Sequence, residues 1–331
     1  MTDFTVLVAV FNAERYLRQC LDSLLGQTLR SIEVICVDDA STDASADILQ
    51  TYARSDCRVR VISRHTNGGA AKARNDGLRM ATGKYTCFCD SDDWLAPDAL
   101  ERVKRLFDDY ELTDCVLFRC VKVFGQRQVP YQMKTFNVMS GKEAFRASLT
   151  WKIHGVYAVR TELHKRFPYD DSAHSYSDDN TTRLHYLFAR EVRCSDACYF
   201  YRQHQGSVTH QVSLGRLDYL KANMSMRRQL ISLGVGQDVL CEYEDMRWLN
   251  VIDSYQFYWL HRKALGKDGS RMALERIREA WKSIDGSELS RKYTRKLGYG
   301  VHKGHWMLFR MEEELYFLCK KMLGRIEPQD C

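Results

Sequence analysis

Three times in its first hundred or so residues the chain runs an apolar stretch into a polar turn and then into an amphipathic helical pattern. Thr5 to Phe11 is a continuous apolar strand, after which Tyr16, Leu17, Cys20, Leu21, Leu24 and Leu25 recur at helical spacing. Glu33 to Val37 is a second strand. It ends in Asp38-Asp39-Ala40-Ser41-Thr42-Asp43, with Ser41 or Thr42 placed to cap a helix through Tyr52. Arg58 to Ser63 is a third, and Thr66-Asn67-Gly68-Gly69 opens a helix through Met80. A fourth strand, Lys84 to Cys89, follows. Strands alternating with helices in this order imply a parallel sheet with right-handed crossovers. Every turn that follows a strand then lies on one edge of that sheet. Asp38/Asp39, Asn67–Gly69 and Asp90–Asp93 are thereby expected together, although far apart in sequence.

Asp90-Ser91-Asp92-Asp93 carries the most chemistry. Carboxylates gathered at a strand's end repel one another unless a cation neutralises them, and that edge is where open α/β sheets bind ligands. Hard oxygen donors suit Mg²⁺ or Mn²⁺, ions that substrate phosphates usually complete. The bland alternative is a solvated acidic turn capping the helix that starts near Pro97.

From Pro97 the pattern changes. A helix runs to about Tyr110, followed by short strand-like pieces at Cys115–Cys120, Val121–Phe124 and Val129–Met133. A helix near Gly141–Ser148, a strand around His154–Val159, a helix starting at Asp178-Asp179 and a strand at Cys198–Arg202 complete this region. Past about Gly215 only helices are expected, rich in aromatic residues. The chain therefore divides into 1–212, with halves near 1–95 and 96–212, and a helical region over 213–331.

The 331 residues are 45% hydrophobic with a formal net charge of +6, a mild excess suiting an anionic small molecule or an acidic membrane surface. No basic groove interleaved with stacking aromatics marks a nucleic-acid module, so nucleic acid is not an expected partner. Of the 12 cysteines, Cys36, Cys87, Cys89, Cys115 and Cys120 fall in expected strands, where free Cys behaves as a small hydrophobe. No Cys-x-x-Cys pair exists, and the simplest reading is a reduced, cytoplasmic setting. No signal-peptide pattern opens the chain, and no apolar run approaches the roughly 20 residues that span a bilayer. The expectation is a cytoplasmic protein, soluble or peripheral on the inner face of the cytoplasmic membrane.

Val8-Ala9-Val10-Phe11-Asn12, Asp22-Ser23-Leu24-Leu25-Gly26-Gln27-Thr28, Val37-Asp38-Asp39-Ala40-Ser41, Asn67-Gly68-Gly69 with Ala73-Arg74-Asn75, and Asp90-Ser91-Asp92-Asp93 occur in an order that resembles family 2 glycosyltransferases of the GT-A fold. The resemblance covers roughly residues 4–210 and is most specific in the first hundred. It implies an α/β fold of the nucleotide-diphospho-sugar transferase type: a mixed, mostly parallel, Rossmann-like sheet flanked by helices, here with a C-terminal helical appendage. It also implies metal-dependent, inverting transfer from a nucleotide sugar to a hydroxyl of a glycan or lipid-linked acceptor.

Residue by residue, the resemblance assigns Ala9, Phe11, Asn12, Glu14, Asp39, Asn67, Gly68, Gly69, Arg74, Asp90, Ser91 and Arg202 to the nucleotide sugar. Asp39 would accept a ring N–H of uracil, and Arg74 would reach the diphosphate. Where this chain has Ala9 and Phe11 the family often has Pro and Tyr, which leaves the base less certain. Asp92, with Asp90, is the expected metal ligand, and Asp93 and His204 are alternates. Tyr176-Ser177-Asp178-Asp179 and Tyr199-Phe200-Tyr201-Arg202 are similar to the family's base motif, with Asp179 as general base and Asp178 orienting the acceptor. Sugar nucleotidyl transfer and non-catalytic nucleotide-sugar binding remain as alternatives. The last helix, about His302–Leu323, would pack on the chain, pair with a second copy as a homodimer, or meet a membrane surface.

Overall fold

The computed structural model describes residues 2–133, 135–172, 178–203, 212–294 and 297–325. The chain divides into two compact units, Met1–Ser207 and Val208–Cys331.

The first unit opens with β1 (Phe4–Val10), α1 (Leu17–Leu25), β2 (Ile32–Asp38), α2 (Ser45–Ser55), β3 (Val59–Ser63), α3 (Ala70–Met80) and β4 (Tyr85–Phe88). It continues through β5 (Trp94–Leu95), α4 (Ala99–Asp109), β6 (Thr113–Phe124), β7 (Arg127–Pro130), β8 (Val138–Ser140), α5 (Gly141–Leu149), β9 (Tyr157–Arg160), α6 (Thr161–Arg166), α7 (Asp178–Phe188) and β10 (Glu191–Arg202). One sheet has the order β3-β2-β1-β4-β9-β6-β10-β5, with β7 on β6 and β8 on β10. β3, β2, β1 and β4 are mutually parallel; β9 runs against β4 and β6, and β10 runs parallel to β6. β6 and β10 therefore share the direction of β1 to β4, and all six end at the same edge.

β1 and β2 are apolar along their length because helices cover both faces, and their residues are almost all buried. Phe4, Val6, Val8, Leu17, Leu21, Leu24, Tyr85 and Phe107 pack into one core, each large apolar side chain contributing about 1.5–3 kcal/mol by leaving water. Cys36, Cys87, Cys89, Cys115 and Cys120 are buried, unbridged thiols.

Two local expectations are corrected. The pieces at Cys115–Cys120 and Val121–Phe124 are one strand, β6. Its first half is buried on both faces, whereas the exposed Arg119 and the half-buried Lys122 interrupt the apolar run that follows, and that change of pattern resembles a break. Nor does Ser41 or Thr42 cap α2. Its N-cap position is Ala44, and the free N–H groups there are taken from elsewhere: Ala44 N–H donates to Glu14 (2.9 Å), and Ser45 N–H to Asp43 (2.9 Å).

The second unit contains α8 (Asp218–Ser232), α9 (Gln237–His261), α10 (Gly266–Lys282), α11 (Arg291–Thr294) and α12 (Trp306–Met322). Trp248, Tyr255, Ile277, Trp281, Phe309 and Phe317 form its core. Within it Glu244 is fully buried and charge-compensated by Arg247 (2.7 Å) and Arg227 (3.1 Å), and it also accepts the Asp285 N–H (2.7 Å). Among the described residues no helix is long and apolar enough to cross a membrane.

Candidate active site

The register Val10↔Asp38↔Ser63 aligns the ends of β1, β2 and β3, so Phe11, Asp39 and Arg64 emerge side by side. Ala9 is half-buried, and Phe11 is 49% exposed at this edge. Asp39 is 2% exposed, and its carboxylate accepts from Gly68 N–H (3.0 Å to each oxygen) and Gly69 N–H (2.7 Å). Arg64, which sequence reasoning passed over, ion-pairs with Asp39 (3.2 Å) and Asp76 (3.3 Å). Gly69 has φ +88°, which favours glycine, whereas a Cβ on Gly68 would stand 2.7 Å from the Arg64 guanidinium, the movable end of a flexible side chain. The carboxylate expected at the nucleobase thus also fastens the turn ahead of α3, and a ring N–H would join donors already there. Asn67 is exposed beside it.

Asn12 and Glu14 have an architectural task in this structure. Asn12 (φ +50°) accepts Thr42 N–H at 2.8 Å, Glu14 accepts Ala44 N–H, and Glu14 N–H donates back to Asp43 (3.0 Å). The turn after β1 is in this way strapped to the start of α2.

Arg74 is the pivot of the site. It lies in the second turn of α3 and is 4% exposed, so it is not the exposed arginine of an ordinary glycine turn. Its guanidinium is 2.5 Å from Asp90 and 3.7 Å from Asp178, against the rings of Phe88 (4.3 Å) and Tyr169 (5.4 Å). The buried Nε has no hydrogen-bond acceptor among the described residues. The next residue, Asn75, exchanges two 2.8 Å hydrogen bonds with the Tyr169 backbone. The sequence carried Asn75 inside a motif without a role; here it holds the loop before α7 against α3.

The acidic turn after β4 divides its carboxylates. Burial raises the proton affinity of Asp90, with Asp92 and Asp178 adding to the effect and Arg74 opposing it. Asp93 is 1% exposed and its two oxygens accept from Tyr199 Oη (2.8 Å) and Arg202 N–H (2.7 Å). Burial, then Asp90 and Asp92, push its pKa up to about 9. Asp93 therefore ties the turn to β10. Ser91 and Asp92 are half-buried. Arg202 donates through Nε to the Asp92 carbonyl (2.7 Å) and through its guanidinium to Gln19 (2.6 Å), between the rings of Tyr16 (4.4 Å) and Trp94 (4.6 Å). In this arrangement Arg202 is a clamp on the acidic turn. Its tie to Gln19 had no sequence signal.

α7 brings the second acidic pair. Asp178 is 53% exposed and faces Arg74. The Asp179 side chain is 19% exposed, 4.0 Å from Arg183, and its Oδ2 has no hydrogen-bond donor among the described residues. Burial raises its pKa to about 7; Arg183 works against the rise and Asp178 adds to it. Asp90 and Asp178, from the two halves of the unit, thus share one guanidinium. Behind them lies a buried polar layer that the sequence did not signal. Thr86 Oγ1 is 2.7 Å from His164 Nδ1, and His185 joins Tyr157 Oη (2.5 Å) to the Phe167 carbonyl (2.8 Å). His185 Nε2–H donates to that carbonyl, so Nδ1 accepts from Tyr157 and the ring is neutral. His204 and Ser207 of the expected post-base loop, and Tyr176 and Ser177 ahead of Asp178, lie outside the described residues.

The Asp90 and Asp92 carboxylates are hard oxygen donors of the kind that suits Mn²⁺ or Mg²⁺. Among the described residues no three acidic, His or Cys side chains cluster to cage an ion.

Residues 5–166 match the family described as "Glycosyl transferase family 2". Among similar proteins, the "Putative glycosyltransferase EpsH" of Bacillus subtilis (strain 168) is 33% identical over 218 residues, 62% of each chain. The "Poly(ribitol-phosphate) beta-glucosyltransferase" of Bacillus spizizenii is 45% identical over 101 residues, 30% of this chain and 16% of that protein. The alignment thus spans about three fifths of the first relative's length. Among solved structures, S. aureus TarS 1-349 in complex with UDP-GlcNAc superposes with a TM-score of 0.75 at 21% identity, covering 96% of this chain and 92% of that one.

Proposed function

Through residues 5–166 the chain belongs to glycosyl transferase family 2 and carries its GT-A fold; from that premise we propose that it transfers a sugar from a nucleoside diphosphate donor to an acceptor hydroxyl. The donor is a UDP-sugar, as in the UDP-GlcNAc complex of TarS. The acceptor is a glycan or lipid-linked chain of a cell-surface polysaccharide, a reading supported by the relative that glucosylates poly(ribitol-phosphate).

The observation that carries this reading is the Asp90–Arg74–Asp178 junction. It ties a phosphate-and-metal turn to a helix start bearing a carboxylate suited to proton transfer. Asp179, whose buried Oδ2 has no hydrogen-bond donor among the described residues and whose pKa is raised to about 7, takes the proton of the acceptor hydroxyl. The acceptor oxygen then bonds the anomeric carbon from the face opposite the leaving group, inverting it. The bond to the nucleoside diphosphate breaks with its electron pair. Arg74 lends its positive charge to the departing diphosphate from behind Asp90 and Asp178, and the start of α3 behind Gly68 and Gly69 adds its N-terminal dipole. Asp92, with Asp90, would hold a divalent cation, Mn²⁺ or Mg²⁺, whose charge offsets that of the departing diphosphate. Asp93, which accepts one hydrogen bond on each oxygen, stays the alternate ligand.

Purified protein offered UDP-, GDP- and TDP-sugars tests the whole reading. We expect turnover of a UDP-sugar, lost in EDTA and restored by Mn²⁺ or Mg²⁺. Full turnover after exhaustive dialysis against EDTA removes the metal assignment. Binding without turnover of any donor leaves a nucleotide-sugar sensor.

A further inference from the structure

The final helix has two apolar faces, and only one is used. Phe309, Glu313 and Phe317 are fully buried in the core of the second unit. About half a turn away, Met307 (63% exposed), Leu308 (50%), Met311 (65%), Leu315 (53%), Leu318 (49%) and Met322 (79%) form an outward stripe. Soluble surfaces carry scattered apolar residues, not a continuous row of six on one helix face.

The charges around this stripe are sorted. Glu312 is turned inward to the N–H groups of Gly298 (2.6 Å) and Gly300 (3.3 Å), and it also pairs with His302. Glu314 accepts from Tyr255 (3.1 Å), Trp259 (3.0 Å) and Arg262 (3.0 Å). Glu313 is buried. All three acidic side chains of the helix are therefore withdrawn or neutralised. Among the described residues, the exposed charged residues at its two ends, Lys303, Lys321 and Arg325, are all cations.

We propose that this face of α12 docks on an anionic lipid surface, its Leu and Met side chains entering the acyl boundary while Lys303, Lys321 and Arg325 meet the headgroups. A second copy of the chain is the weaker occupant. The 3-4 spacing of Leu308, Met311, Leu315, Leu318 and Met322 spans about two heptads, where a coiled coil needs about three or four. The flanking acids that would pair with a partner's lysines are already bound inward. Docking gives purpose to a lipid-linked acceptor and rests on the proposed function only in that respect, because vesicle binding is read without any sugar transfer.

Sedimentation of the full chain with vesicles tests it. Binding to phosphatidylglycerol–phosphatidylcholine vesicles is expected at low salt, with little to phosphatidylcholine alone. The double variant Leu315→Ser/Leu318→Ser, chosen because both side chains point outward, should lose most of the binding at unchanged circular dichroism. Lys303→Gln with Lys321→Gln should weaken it on the order of tenfold. The proposal is overturned if wild type does not bind, or if the leucine variant binds as well as wild type. A concentration-dependent dimer that the same variant dissociates, without vesicle binding, would hand the face to a second copy.

Discussion

Asp179 and Asp178 are neighbours in sequence with opposite surroundings. One is shielded beside Arg183 and lacks a hydrogen-bond donor on Oδ2; the other is half exposed beside Arg74. Asp179 works as a base only when ionised, so with its pKa raised to about 7 the rate should fall tenfold per pH unit below about 7. The sign of the neighbour effects gives a sharper test. Asp178→Asn removes a negative charge that favours the protonated form, and the acid limb of kcat/KM should move to lower pH. Arg183→Ala removes the opposing cation and should move it up. Limbs that stay together in all three proteins would dissociate the profile from Asp179. Asp179→Asn should lower kcat about 10²–10⁴-fold with donor binding retained; near-normal turnover of a folded variant ends its assignment as the base.

Helix starts show where an element's own sequence misleads. Asp-Ala-Ser-Thr-Asp before α2 offers several capping side chains, yet Ser41 and Thr42 turn toward Asn12 on the neighbouring loop. Asp43 supplies the acceptor, gripping Ser45 N–H and Glu14 N–H together. Asp43→Ala should therefore cost about 1–2 kcal/mol in urea unfolding, and Thr42→Ala less than about 0.5 kcal/mol. The reverse ranking would restore the local cap. The two halves of β6 make the same point for strands: a fully buried run and one interrupted by Arg119 and Lys122 read as separate pieces, and pairing with β9, β10 and β7 joins them into one element.

The sheet and the helices of the second unit have hydrophobic cores of their own, the sheet's in several clusters and the helices' around Trp248 and Phe309. Glu244 anchors the second. Glu244→Leu strips the counter-charge from the buried Arg247 and leaves Arg227 with Glu288 alone, and should cost about 3–5 kcal/mol. Hydrogen exchange should then quicken in α8, α9 and α10 while β1, β2 and β4 keep their protection. Equal acceleration in the sheet strands would mean that the two cores unfold as one.

The order β1-α1-β2-α2-β3-α3-β4, the single edge on which Asp39, Gly68 and Asp90 meet, the buried free cysteines and the helical second half were legible in the chain, whereas β5, β8 and α6 were not. Each legible feature follows from periodicity and crossover geometry, which are local or nearly so. The partners were not legible. That Arg74 binds Asp90 and Asp178 together, that Asp93 and Arg202 close the acidic turn, that Asn12 and Glu14 brace α2, and that α12 keeps an apolar face in water depend on side chains up to 110 positions apart. A sequence fixes which side chains are charged or apolar, but whether each spends that chemistry on its own fold or on a ligand is decided only when distant segments arrive beside it.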